Sequence, residues 1–232
     1  MAVQLPLNIK LRDNATFNNY FPGANREAVE YLQLHCGLRD EPCAYLWGGR
    51  GTGKTHLLQA ACHIVALRDL PTAYIPLSQA DELSPAILEG IAELSLVCVD
   101  DVHSVAGDDS WESALFHLYN RMRDAGTHLV VAGDNSPGSL NIRLADLVSR
   151  LAWGAVFQIQ PLNDEEKLLA LQLHASVRGM EMSLDVARFL LHRSRRDMPA
   201  LYSLLDQLDR VSLSAQRRLT IPFIREFMIG RL

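Results

Sequence analysis

The chain has 232 residues, 48% of them hydrophobic, and a formal net charge of −5; such a length and apolar share can bury a substantial core as one large domain or two smaller ones. The negative balance argues against a broad electrostatic footprint on nucleic acid, so direct DNA binding is expected to be weak or absent. No apolar run reaches the about twenty residues of a membrane helix, and the opening MAVQLPLNIKLRD lacks the basic-then-apolar layout of a secretory signal, so no membrane partner is expected and the cytoplasm is the default location.

In chain order, the start reads as irregular, with turn formers around Phe17, Tyr20 and Phe21 in NATFNNYFPG. From Cys43 to about Gln160, short apolar runs alternate with amphipathic helices. CAYLW, PTAYIPL, LSLVCVD, THLVVAG and AVFQIQ are the strand candidates. This alternation predicts an α/β fold with a parallel sheet covered by helices on both faces. After Pro161 the strands stop, and helices are predicted over 163–177, 183–193, 199–211 and 221–229, several opened by Asn, Ser or Asp caps or by an early proline. The chain therefore reads as an α/β core followed by a small all-helical subdomain. Cys36, Cys43, Cys62 and Cys98 show no CxxC pairing and read as core thiols. Arg193, Arg195 and Arg196, like Arg217 and Arg218, form short basic runs of the kind that usually make solvated faces.

The densest chemistry lies in residues 48–55, GGRGTGKT. The spacing of Gly48, Gly53, Lys54 and Thr55 is that of a phosphate loop. Glycines let backbone N–H groups converge on phosphate oxygens, the lysine ammonium reaches the β and γ phosphates, and the threonine hydroxyl meets Mg²⁺. Its setting also fits, since CAYLW before it reads as a buried strand and HLLQAACHIVALR after it has helical apolar spacing. A helix N-terminus adds partial positive charge to such an anion site. Nucleotide contacts are expected from Gly48, Gly49, Arg50, Gly51, Thr52, Gly53, Lys54, Thr55 and His56. The ligand is ADP or ATP with Mg²⁺; because such a loop grips a diphosphate whatever the base, another nucleoside diphosphate can also occupy it.

LSLVCVDD is a buried-strand pattern ending in two carboxylates. Paired with Lys54 and Thr55, these assign Asp100 to the metal, with Thr55, and Asp101 to an attacking water. THLVVAGDNSP ends in Asp134 and Asn135, which read equally as sensors of the γ-phosphate and as plain turn formers.

GGRGTGKT with VCVDDVHSVAG, LVVAGDNSP and DLVSRLAWG resembles the AAA+ ATPase core of the bacterial replication initiator DnaA and its relatives, over roughly Thr16 to Ile229. TFNNYFPGANREA resembles the segment that covers the adenine in that family, which implies Phe21 and Pro22 near the base. The helical tail resembles the family's lid. Initiators continue past the lid into a helix-turn-helix DNA-reading domain, whereas this sequence ends at Leu232. WESALFHLYNR, ALQLHASVRGMEM, LDQLDR and AQRRLTIPF resemble the family's regulators that reset the initiator once replication has begun.

The N-terminal QLPLNI is similar to the short peptide by which many bacterial proteins dock on the sliding clamp of DNA polymerase III, with the Gln4 amide hydrogen-bonding and Leu5, Leu7 and Ile9 filling an apolar cleft. Without the family it reads as an apolar leader capping the domain. The resemblance thus implies a clamp-binding peptide over 1–15, a nucleotide-binding core over 16–161 and a lid over 162–232.

DLVSRLAWG resembles the segment that carries an arginine acting in trans, which implies Arg150. Read from the residues alone, Arg150 is a helix C-terminal cation that complements the dipole and pairs with Asp146 one turn back. Where the family's lid carries an arginine on the nucleotide phosphates, RRDMPAL places Pro199, and Arg195 or Arg196 stands nearby. The implied function is clamp-dependent stimulation of ATP hydrolysis on DnaA, with little or no hydrolysis of its own. The neighbour that receives Arg150 is DnaA or another copy of the chain. An adaptor that recruits DnaA without promoting hydrolysis, and a helicase-loader-like ATPase, are the alternatives.

Overall fold

A computed structural model of the chain describes residues 15–38, 43–195 and 197–230. They form two compact units, one containing residues 25–160 and the other residues 18–24 together with residues 161 onward.

The first unit is built on five short strands, β1 (Cys43–Trp47), β2 (Thr72–Pro76), β3 (Leu96–Asp100), β4 (His128–Gly133) and β5 (Ala155–Gln158). They pair in the order β2-β3-β4-β1-β5, and every pairing is parallel. Helices α1 (Arg26–His35), α2 (Lys54–Ala66), α3 (Asp109–Ala125) and α4 (Ala145–Leu151) cover it. Both faces of β1, β3 and β4 are buried, which is why these strands read as nearly continuous apolar runs. Side chains alternate between the two faces. Cys43, Tyr45, Val97, Val99, Leu129 and Val131 share a core with Leu115, Leu118 and Met122 of α3 and Leu147 and Leu151 of α4. Ala44, Leu46, Leu96, Cys98 and Val130 are equally buried but stand at the alternate positions, outside that cluster.

Parallel pairing puts all strand C-termini on one edge of the sheet. Trp47 lies opposite Gly133, and Val99 opposite Val131, so the residues after β1, β3 and β4 emerge side by side. The chain leaves this unit at two points that Asn25 ties together: its amide donates to the Gln160 carbonyl at 3.0 Å and accepts from the Gln160 N–H at 2.7 Å.

The second unit contains α5 (Asp164–Val177), α6 (Leu184–Arg193), α7 (Met198–Ala215) and α8 (Ile221–Met228). Each helix starts where its sequence supplies a cap. Asn163 and Glu166 form a reciprocal capping box on α5, Ser183 caps α6, Asp197 caps α7 ahead of Pro199, and Thr220 caps α8. Leu171, Leu190, Leu205, Leu208, Phe223 and Ile224 fill the core between them. The basic runs are largely engaged: Arg217 pairs with Glu226 at 2.7 Å and Arg218 with Glu181 at 3.4 Å. Arg196 lies outside the described residues.

All four cysteines are free and buried, and burial pushes the Cys43 thiol up to about 12, the opposite of an activated thiolate. Among the described residues no helix is long and apolar enough to cross a membrane. Gly154, just before β5, has no room for a side chain, because a Cβ there would run into the Cys43 carbonyl at the start of β1. Gly154→Ala is therefore expected to destabilise the first unit by about 1–3 kcal/mol, read as a lower denaturation midpoint, since overpacking at a strand junction forces backbone movement.

Candidate functional site

Gly48 to Gly53 connect the C-terminal end of β1 to α2. Gly48 has φ +152 and faces the Ile159 carbonyl closely enough that any Cβ would collide with it. Gly53 is the N-cap of α2 with φ +101, and it offers no side chain to its own helix. The first N–H groups of α2 thus lack both an intrahelical acceptor and a side-chain cap, the arrangement that suits an anion. The Thr52 hydroxyl donates to the Gly49 carbonyl at 3.0 Å and closes the loop on itself. Gly49 and Arg50 are exposed, while Gly51 is half-buried with φ +79.

Lys54 is only 7% exposed. Its ammonium donates to the carbonyls of Gly48 at 2.7 Å and Gly49 at 3.1 Å, spanning the mouth of the loop. Burial pulls its pKa down, and the carboxylates of Asp100, Asp101 and Asp134 oppose that shift by favouring the charged form. These four charges, drawn from α2 and from the ends of β3 and β4, share one electrostatic neighbourhood. His56 faces elsewhere in part, with its ring Nε2 2.8 Å from the Thr16 carbonyl.

Asp100 is 1% exposed. The Tyr74 hydroxyl donates to its Oδ2 at 2.8 Å, the Asp101 N–H to its Oδ1 at 3.0 Å, and the Thr55 hydroxyl to the same carboxylate. Burial raises its pKa, and the nearby Asp101 adds to the rise, while the hydrogen bonds from Thr55, Tyr74 and the backbone hold it back. Gln59 of α2 in turn hydrogen-bonds the Tyr74 oxygen. Asp101 has a left-handed backbone, φ +56, which an Asp tolerates better than most residues, and so turns away from the line of β3.

Asp134 follows Gly133 at the tip of β4 and is exposed. Its turn is fixed from below by Tyr45, whose hydroxyl donates to the Asn135 carbonyl at 2.9 Å through the space Gly133 leaves open. His103 Nδ1 stands 3.9 Å from Asp134 Oδ1. The sequence reading missed Tyr74, Gln59, Tyr45 and His103. Each is remote in sequence from what it touches, so no local motif could have revealed it.

A hard oxygen pair, the Thr55 hydroxyl and the Asp100 carboxylate, beside a phosphate loop is the donor set that Mg²⁺ takes, because that ion keeps several waters and draws its remaining ligands from phosphate. The chemistry this edge supports is therefore nucleotide binding, and Thr55 and Asp100 are the residues that could hold a hydrated ion beside it.

Phe21 and Pro22, half-buried and just before Gly23, belong to the helical unit. Pro199 sits in the first turn of α7, and Arg195 pairs with Asp197 at 3.7 Å. Gln4, Leu5, Leu7 and Ile9 lie outside the described residues.

Arg150 stands apart from this group. It is in the last turn of α4, which ends before β5 begins and so lies at the N-terminal edge of the sheet. Its guanidinium lies 5.8 Å from the Tyr119 ring and 5.7 Å from that of Trp153. Tyr119 lies within electrostatic reach of both Cys43, the first residue of β1, and Arg150, in keeping with a place for the arginine near that edge. The phosphate loop leaves the other end of β1, roughly 13 Å away for four steps along a strand. Among the described residues, Arg150 forms no ion pair with Asp146.

A parallel five-stranded sheet, a glycine loop running into a helix, acidic strand ends beside it and a helical second unit together define a P-loop nucleotide-binding protein of the AAA+ class. The model of the bacterial DnaA ATPase domain matches residues 11–158, and the model described as Hda, lid domain, matches residues 164–228. The chain belongs to the DnaA-related family and has the two-domain arrangement of Hda.

Solved structures agree on the fold. Domain III of the Thermotoga maritima replication initiation protein DnaA is 23% identical, with a TM-score of 0.76 over 93% of this chain and 95% of that one. AMPPCP-bound DnaA from Aquifex aeolicus is 21% identical with a TM-score of 0.70, over 86% of this chain and 66% of that one. The RuvB Holliday junction branch migration motor of Thermotoga maritima is 15% identical with a TM-score of 0.62, over 88% and 67%.

Asp100 supplies a pH test. Its pKa is higher folded than unfolded, so the folded state holds the proton more tightly, and the stability this gives is present at low pH and lost as pH rises through the raised value. Asp100→Asn removes this titration, so the denaturation midpoint of the nucleotide-free variant is expected to depend less on pH than that of the wild type, which loses stability as pH rises through the raised value. The same variant should weaken Mg²⁺-dependent nucleotide binding, measured by calorimetry.

Proposed function

We propose that this protein is a cytoplasmic regulator that inactivates the initiator DnaA by stimulating hydrolysis of the ATP that DnaA holds. Lys54, the α2 N–H groups and Thr55 retain an ADP or ATP, with Mg²⁺ between Thr55 and Asp100. Asp101 orients water and Asp134 senses the terminal phosphate, while Phe21 and Pro22 cover the base. Gln4, Leu5, Leu7 and Ile9 dock on the sliding clamp, so that the clamp and not this chain grips DNA.

The observation that carries the reading is the place of Arg150. It stands at the sheet edge opposite its own phosphate loop, beside a tryptophan that is 73% exposed, so its charge is suited to a neighbouring molecule. On a partner's ATP the guanidinium would stabilise charge developing on the γ-phosphate. Pro199, standing where the family's lid arginine would, brings no cation to this chain's own nucleotide, which fits weak self-hydrolysis.

In an assay reconstituted with DnaA, clamp and DNA, Arg150→Ala is expected to lower the stimulated hydrolysis rate by about 10³-fold or more, the scale of arginines supplied in trans, while leaving nucleotide binding by this protein intact. Stimulation at the wild-type level would remove Arg150 from the mechanism. Deleting residues 1–9 should abolish retention on clamp-loaded DNA and spare nucleotide binding.

A further inference from the structure

Glu112 is a carboxylate at 2% exposure with no cationic partner among the described residues. Buried unpaired charges are costly unless several donors meet them, and here the donors are all backbone. Its Oε1 accepts from the Gly107 N–H at 2.6 Å, the Arg143 N–H lies 3.1 and 3.0 Å from Oε1 and Oε2, and Oε2 accepts from the Leu144 N–H at 2.9 Å. Those N–H groups come from two segments that matter separately. Gly107 ends the turn that begins at Asp101, and Leu144 is the N-cap of α4, the helix of Arg150.

Leu144 has no side-chain oxygen with which to cap α4, and Glu112 of α3 reaches across to bind that end of the helix. About two turns further along α3, Tyr119 presents its ring to the Arg150 guanidinium. One helix therefore grips α4 at both ends, by a carboxylate at its start and an aromatic face at its arginine.

Resting on the reading of Arg150 above, we infer that Glu112 is a positioning residue for that arginine: it fixes the start of α4, and through Gly107 it joins that helix to the segment following the acidic end of β3. Arg150 itself makes no ion pair with the described residues, so its direction depends on how α4 is seated. A side chain misplaced by about 1 Å costs on the order of 10² in rate when orientation matters.

The test compares Glu112→Gln, Leu144→Pro and Arg150→Ala in the full chain, titrated into the DnaA, clamp and DNA assay. Glutamine keeps the shape but turns an NH₂ toward backbone donors. Proline at 144, where φ is −78, removes the N–H that donates to Oε2 and leaves Glu112 in place, and it also replaces the Leu144 side chain that packs on the core. Each of the first two variants is expected to lower the maximal stimulated rate by about 10- to 100-fold, with half-saturation and the chain's own nucleotide affinity within about twofold of wild type. Wild-type maximal rates in both overturn the inference. So does a parallel loss of nucleotide affinity and half-saturation in both, which marks Glu112 as general support for the fold. If Arg150→Ala also stimulates normally, the failure lies in the reading of Arg150 itself.

Discussion

Strand β1 is hydrogen-bonded in parallel to β4 on one side and β5 on the other, and the placement of nearly every functional group depends on that register. Because all five strands run the same way, the segments leaving β1, β3 and β4 gather at one edge, and the segment entering β5 lies at the other. The phosphate loop, Asp100, Asp101 and Asp134 are products of the first edge, while Arg150 and Trp153 are products of the second. The glycines at 48 and 154 serve the same register at its two ends. Each lets the backbone of β1 and the segments flanking β5 approach more closely than a Cβ would permit.

At the loop edge, opposite charges sustain one another. Lys54 is buried against carbonyls, and three carboxylates at the ends of neighbouring strands support its positive charge. Asp100 bears the reverse strain, a negative group taken out of water and stabilised by three donors from three different segments. The cluster is poised in opposite directions, with a lysine pulled down and an aspartate pushed up. A phosphate oxygen and a hydrated divalent ion would relieve both, which is the physical reason this edge suits a nucleotide.

The α/β core and the helical unit were legible in the sequence because their signals are local: apolar runs between turns for the strands, and for the helices caps at Asn163, Ser183 and Asp197 and an early proline in the last of them. The phosphate loop was legible for the same reason, since its chemistry and its spacing occupy one short stretch. The contacts that stayed hidden depend on register. Tyr74 reaches Asp100 only because β2 lies beside β3, and Glu112 meets Leu144 only because α3 packs on α4. An apparent helix pair, Arg150 with Asp146, is absent among the described residues; the guanidinium turns to two aromatic rings that no helical spacing announces.

The separation of Arg150 from its own glycine loop also gives the molecule a polarity. A contact that joins the arginine edge of one subunit to the phosphate edge of another uses two different surfaces, and such head-to-tail joints do not close into a twofold pair on their own. If Arg150 acts on a neighbour as proposed, a copy that donates it would leave its own phosphate edge open to a further donor. A row built this way has a direction, and whichever member has no arginine donor behind it marks the end of the row.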